Sequence, residues 1–307
     1  MFSRLLAESR RAKATSPVFI VGEARSGTSV LYRTLQKHSS FRPKEINLVE
    51  TEIFALLRRT FMFGRRYPET LRRFMLEDEL EWRNFLRSIR IPKSVSALMI
   101  PANLIVMDRS DILWRLNLNH LTVRSYFHHA QRARQCKRLV EKTPTNTAHL
   151  AKLTRAFPRA QMLYIHRHPL DVLSSYRRRG RDDPSATWAR DLELREFCAL
   201  YEQSVRRVID WLAAGGNNLM PVSYEHFTSE PESSLRDICD WLGEPFEADL
   251  VREQAPQPGR WQGDPHLWTE IVPTTKKWEE FVTAAEAAEV QRRLAPLMNA
   301  LDYRART

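Results

Sequence analysis

The stretch VGEARSGTSVLYRTL, residues 21–35, follows the apolar run PVFI and leads into a helical pattern. From Gly22 it reads G-x-x-x-x-G-T-S, one residue away from the phosphate-cradling pattern G-x-x-x-x-G-K-[ST], with Thr28 in the lysine position. A strand ending at Val21 or Gly22, a turn containing Gly27 and a helix starting near Thr28 direct several backbone N–H groups at one spot. The helix dipole adds positive potential there, and such a spot binds an anion. The plain alternative is an ordinary strand-to-helix turn in which Thr28 and Ser29 cap the helix.

The missing lysine is informative. In ATP-dependent enzymes that lysine reaches the β- and γ-phosphates, while a hydroxyl and an acidic strand residue hold Mg²⁺. Here the cation in the loop is Arg25, and no apolar strand ends in an isolated aspartate. A planar guanidinium forks to two oxyanions without a metal. The loop therefore suits a 5′-phosphoryl group bearing one further tetrahedral anion better than a magnesium triphosphate.

Outward from this loop, four short apolar runs read as buried parallel strands: PVFIVG (17–22), KRLVEK (137–142), AQMLYIHR (160–167) and NLMPVSYE (218–225). Helical patterns cover Thr28–His38, Thr147–Ala156, Leu170–Arg178, Trp188–Ala214 and Pro231–Leu242. Strand and helix alternate, so the fold class is α/β: a P-loop-NTPase-like parallel sheet flanked by helices, in one domain over residues 1–307. Residues 51–135 switch to long amphipathic segments rich in Arg, Leu, Phe and Trp, which read as a helical insertion over one end of the sheet. Residues 245–273, rich in Pro, Gly and Trp, read as a long loop, and loops of this length in compact domains are functional or disordered.

Composition bounds the partners. Lys and Arg number 48 against 37 Asp and Glu, a formal charge of +11, which favours anionic partners. There are no RNP-type strands, C₂H₂ spacings or Gly-Arg-rich tail, so nucleic acid is not the expected one. Cys136, Cys198 and Cys239 lie far apart without C-x-x-C spacing, as idle buried thiols in a reducing compartment would. With no apolar run of about 18 residues, the chain reads as soluble and cytoplasmic. The basic amphipathic start MFSRLLAESRRAK allows peripheral membrane contact, or is simply a frayed terminus.

A second constellation lies in LYIHRHPLDVLSSYRRR, residues 163–179. Arg167 ends a strand, Pro169 fits a first helical position, and Ser174 and Ser175 follow about two turns into the helix. A strand-end guanidinium and a hydroxyl on the next helix can converge on one phosphate. Alone, the segment reads equally as Arg167 paired with Asp171 beside two solvated serines.

Together the two motifs resemble the sulfotransferase family that uses 3′-phosphoadenosine-5′-phosphosulfate (PAPS), especially its bacterial and tyrosylprotein-type branches with PRSGTT loops. Arg25, Ser26, Gly27, Thr28 and Ser29 match the 5′-phosphosulfate loop, with Ala24 where proline is usual. Arg167 and Ser175 have the eight-residue separation of the 3′-phosphate motif. VEKTPTNTAHLAKLTRAFPRA (140–160) and SYEHFTSEPESSLRDICDWLGEPFE (223–247) are similar to two further family segments.

The resemblance implies in-line transfer of a sulfuryl group to a hydroxyl or amine, releasing adenosine 3′,5′-bisphosphate, with no metal required. It places Arg25 on the phosphosulfate and Lys142 at the leaving oxygen, where a strand-end lysine would otherwise be merely solvated. Glu45, after the His38–Ser39 turn, is the implied general base, with Glu50 as second candidate. His166 and His168 read as structural neighbours of the 3′-phosphate site. Tyr224 matches the adenine-side tyrosine, or is a core ring, and Arg260, with Lys276 in reserve, is the lid cation. The insertion and the closing loop would receive a small-molecule, carbohydrate, lipid or peptide acceptor. Rival readings are an ATP-using P-loop kinase and a non-catalytic homologue that binds nucleotide or polyanion.

Overall fold

The computed structural model describes residues 16–43, 127–128, 131–132, 134–184, 186–252, 271 and 278–306. Among the described residues four parallel strands form the sheet: β1 (Val18–Gly22), β2 (Val140–Lys142), β3 (Gln161–His166) and β4 (Leu219–Ser223), in the order β2-β1-β3-β4. All β1 residues are buried, which is why that strand reads as an unbroken apolar run rather than an alternating one. The register pairs Ile20 with Lys142 on one side and Gly22 with Ile165 on the other. The carboxyl ends of β1, β2 and β3 thus come together, where ligands bind in open α/β sheets.

Helices cover both faces. α1 (Thr28–Leu35) follows β1, α2 (Leu150–Ala156) follows a 3₁₀ turn at Pro144–His149, and α3 (Pro169–Asp182) follows β3. α4 (Thr187–Arg190) and α5 (Leu194–Ala213) precede β4. α6 (Tyr224–Ser229), α7 (Pro231–Leu242) and α8 (Ala284–Ala300) follow β4 among the described residues. Alternate β1 side chains feed two cores: Phe19 and Val21 pack with Leu153, Phe157 and Tyr164, while Val18 and Ile20 pack with Leu31, Ile238 and Leu242. A third core joins α3, α5 and α8 through Leu173, Tyr201 and Leu294.

The expected strands are all present, and α7 has the expected bounds. The expected helix at Trp188–Ala214 is two, because the chain breaks between Arg190 and Leu194. α8 has no counterpart in the sequence reading; Pro296 lies inside it, and its start is fixed by a capping box between Thr283 and Glu286. Residues 248–250 of the expected long loop form a 3₁₀ turn. The three cysteines are buried free thiols. Of the helical insertion, all but a few residues lie outside the described residues, as do 1–15 and 253–270. No described helix is long and apolar enough to cross a membrane.

A buried ion pair braces the sheet end opposite the loops. Arg138, fully buried, donates to Glu244 Oε1 at 3.1 Å, to the Leu242 and Ser16 carbonyls at 3.0 Å, and to Gln161 Oε1 at 2.9 Å. Burial pushes Glu244 up, but bonds from Ser40, Arg138 and Lys137 outweigh it and hold the carboxyl below its ordinary value. Its stabilisation is thus present above the ordinary carboxylate pKa and lost as pH falls through the native one. Glu244→Ala strands a fully buried guanidinium, so denaturant unfolding should show a loss of about 3–5 kcal/mol.

Candidate active site

The loop 23–27 owes its shape to two glycines. Gly22 backs onto the Ile165 carbonyl of β3, so a side chain there would meet backbone. Gly27 caps α1 at φ 98°, and any Cβ would run into the Tyr224 ring. Arg25 itself sits at φ 70°, left-handed backbone that a non-glycine residue adopts at a cost of order 1–3 kcal/mol. The helix cap is therefore Gly27, and Thr28 and Ser29 are the first helical residues.

The two motifs meet directly. Arg25 Nε donates to Ser175 Oγ at 3.1 Å, across 150 residues of sequence. Ser174 and Ser175 are both buried, so neither is a solvated serine. Arg167 is buried at the end of β3 with its guanidinium 4.3 Å from the centre of the Tyr224 ring, and that ring abuts Gly27. Tyr224, the first residue of α6, thus touches both motifs. Asp171 is engaged by Arg306 at 2.9 Å, which answers the alternative of an Arg167–Asp171 pair.

Of the buried side-chain polar atoms without a hydrogen-bond partner, two belong to the motifs. Among the described residues, Ser26 Oγ and Arg167 Nε have no hydrogen-bond partner although neither atom reaches solvent. Leaving such groups unpaired costs about 1–3 kcal/mol each. Lys142 ends β2 almost fully buried, its register with Ile20 setting it on the same sheet face as the residues packed under α1. Glu45, Glu50, Arg260 and Lys276 lie outside the described residues. The His38 ring is buried and holds the turn before Glu45, accepting the Ser40 N–H at 3.0 Å.

Glu23 escaped the sequence reading, although an acid inside an anion loop is itself a signal. Its Oε1 accepts the Ala24 N–H at 3.0 Å and the Tyr176 hydroxyl of α3 at 2.8 Å, tying the loop to the helix that carries Ser175. Burial pushes its pKa above the ordinary 4.5, and those two bonds only partly oppose the rise. A raised native pKa means stability that is full below the unfolded value and falls as pH rises toward the native one. Glu23→Gln keeps the acceptor and removes the charge. Its thermal midpoint should gain on the wild type as pH rises above 4.5 and then hold a constant lead; equal midpoints at every pH would contradict this.

A cavity of about 1070 Å³ opens between α5, the edge strand β4 and the C-terminal residues. Arg167 and Tyr224 line it, whereas none of residues 23–29 does. The cavity therefore reaches the strand-end arginine but not the loop.

These features define a class first: α/β proteins whose parallel sheet opens, at adjacent strand ends, into a glycine loop with a helix N-terminus and an arginine. The chain belongs to the sulfotransferase family, whose sequence profile matches residues 17–248. Solved structures agree at the level of fold. The sulfotransferase domain of the Synechococcus PCC 7002 olefin synthase is 20% identical, with TM-score 0.57 over 94% of this chain and 96% of that one. A sulfotransferase domain from the curacin biosynthetic pathway is also 20% identical, with TM-score 0.56 over 95% and 99%. An uncharacterized protein of Aquifex aeolicus (strain VF5) is 22% identical over 245 residues, 77% of this chain. The chain spans about a quarter, 26%, of that relative's length.

Proposed function

We propose that the protein is a PAPS-dependent sulfotransferase, carried in a single domain over residues 1–307. The observation that supports this most is the pair of buried, unpartnered donors, Ser26 Oγ and Arg167 Nε, one on each motif. Their chemistry fits a nucleotide with anions at both its 5′ and 3′ positions. Arg25, Ser26, Gly27, Thr28 and Ser29 would hold the 5′ end, Arg167 and Ser175 the 3′-phosphate, and Tyr224 the adenine side, with Arg260 as the lid cation. Bound there, the nucleotide supplies an activated sulfuryl group.

The residues divide the remaining work. Arg25 presents a guanidinium to charge on the sulfuryl oxygens, and Lys142 presents an ammonium to charge developing on the leaving oxygen. Glu45 takes the proton of the acceptor hydroxyl or amine. The Arg25–Ser175 bond couples the position of the sulfuryl-side cation to the helix that holds the 3′-phosphate. The acceptor, a small molecule, carbohydrate, lipid or peptide, would be bound by the insertion at 51–135 and the closing loop at 245–273.

Isothermal titration tests the reading. Adenosine 3′,5′-bisphosphate should bind, and ATP with Mg²⁺ should bind at least about tenfold more weakly, because it lacks the second charge-assisted anchor. Tighter binding of ATP would overturn the proposal.

A further inference from the structure

The chain after α8 turns back onto the strand end that carries Arg167. Tyr303 is at the centre of this contact. Its hydroxyl donates to Glu225 Oε2 at 2.9 Å and lies 2.8 Å from His166 Nδ1. Its ring meets the His166 and His168 rings edge-on, with centroids 5.5 and 5.4 Å away. Two flanking residues extend the contact: the Arg304 carbonyl is 3.1 Å from His168 Nε2, and Arg306 Nη1 donates to Asp171 Oδ2 at 2.9 Å. The side-chain amide of Gln291 in α8 donates through Nε2 to the Arg306 carbonyl and accepts the Arg306 N–H at Oε1.

Proton counting orders this cluster. A tyrosine hydroxyl has one proton, which goes to Glu225, so its oxygen accepts from His166 Nδ1–H. His168 Nδ1 accepts the Leu170 N–H at 3.3 Å, so its Nε2–H donates to the Arg304 carbonyl. Each imidazole is held in one tautomer, and burial pushes both rings below their ordinary pKa. Neither ring has its protons free for chemistry; both serve as struts.

The struts stand on either side of Arg167. Glu225 Oε1 accepts the backbone N–H of His168 at 2.8 Å, and the Tyr201 hydroxyl donates to the carbonyl of Arg167 itself at 2.8 Å. Glu225 is also the neighbour of Tyr224, whose ring lies against the Arg167 guanidinium. One hydroxyl, that of Tyr303, therefore links the end of β3 to the start of α6, the two elements that bring Arg167 and Tyr224 together.

We infer that residues 301–306 form a clasp that sets the position of Arg167, with Tyr303 as a positioning residue for recognition of a 3′-phosphate. This rests on the nucleotide reading proposed above. Tyr303 touches no bound group in this scheme; it acts through His166, His168 and Glu225. Its removal should therefore subtract the contribution of the 3′-phosphate and leave the rest of the nucleotide's affinity in place.

The test compares adenosine 3′,5′-bisphosphate with adenosine 5′-monophosphate by isothermal titration, on wild type, Tyr303→Phe and Arg306→Gln. Tyr303→Phe keeps the ring and leaves Glu225 and His166 each short of a partner, so bisphosphate affinity should fall about tenfold while monophosphate affinity is unchanged. Arg306→Gln loosens only the Asp171 anchor and should shift the bisphosphate alone by about threefold; it decides the matter if Tyr303→Phe does not fold. Unchanged bisphosphate affinity in the variants, or an equal loss for both ligands, overturns the clasp alone. A wild type that binds neither ligand, or binds both equally, overturns the nucleotide reading and the clasp with it.

Discussion

Arg167→Ala should weaken binding of adenosine 3′,5′-bisphosphate by about a hundredfold or more, since it removes charge-assisted bonds to an anion in a water-poor site. The residue is only 7% exposed, its Nε is a buried donor without a partner among the described residues, and its guanidinium lies close enough over Tyr224 to be held in place. The same substitution removes an unsatisfied buried donor, so thermal stability should hold or rise slightly rather than fall. Arg167→Lys should not restore affinity, because a point-charge ammonium cannot both stack on the ring and fork to an anion. Titration and thermal unfolding on the same samples separate the two effects. Unchanged affinity in Arg167→Ala would remove the 3′-phosphate site from the account.

The second large effect is expected on rate rather than binding. Lys142→Ala should lower turnover by about 10²–10³-fold while the donor's apparent affinity changes little, as for loss of a preorganised charge that acts on the leaving atom. The structure places this lysine at the end of β2, 2% exposed, next to the strand that runs into the anion loop. Slow transfer from PAPS to water provides the readout and needs no acceptor. A parallel fall in affinity and turnover would make Lys142 a binding residue, and no fall at all would make it a strand-end cation of the fold.

The sheet could be read from the sequence because β1, β2 and β3 are buried along their whole length and stand out as short apolar runs between polar turns. The loop could be read because Gly22, Gly27 and the hydroxyls that follow occupy fixed offsets after β1. Other features carried no local signal. α8 hides behind an interior proline and a polar face, and only its capping box marks it. The break between α4 and α5 has neither glycine nor proline to announce it. Contacts such as Arg25 with Ser175, or Tyr303 with His166, join residues 150 and 137 positions apart. No periodicity encodes them; the first exists because adjacent parallel strands deliver their carboxyl ends to one place, the second because the chain after α8 turns back onto the end of β3. Glu23 illustrates the opposite failure, a local signal in full view, since an acid in an anion loop requires burial or a partner and the fold gives it both.

Sulfuryl transfer is proposed at the junction of the Arg25 loop and the Arg167 strand end. Its most direct test is incubation of the protein with PAPS labelled in the sulfuryl group and an extract of the cells that make it, with ATP and Mg²⁺ in a parallel reaction. The expected result is labelled product together with an equal amount of adenosine 3′,5′-bisphosphate, both lost in Arg167→Ala. Labelled phosphate transferred from ATP, with no bisphosphate formed from PAPS above the uncatalysed rate, would contradict it.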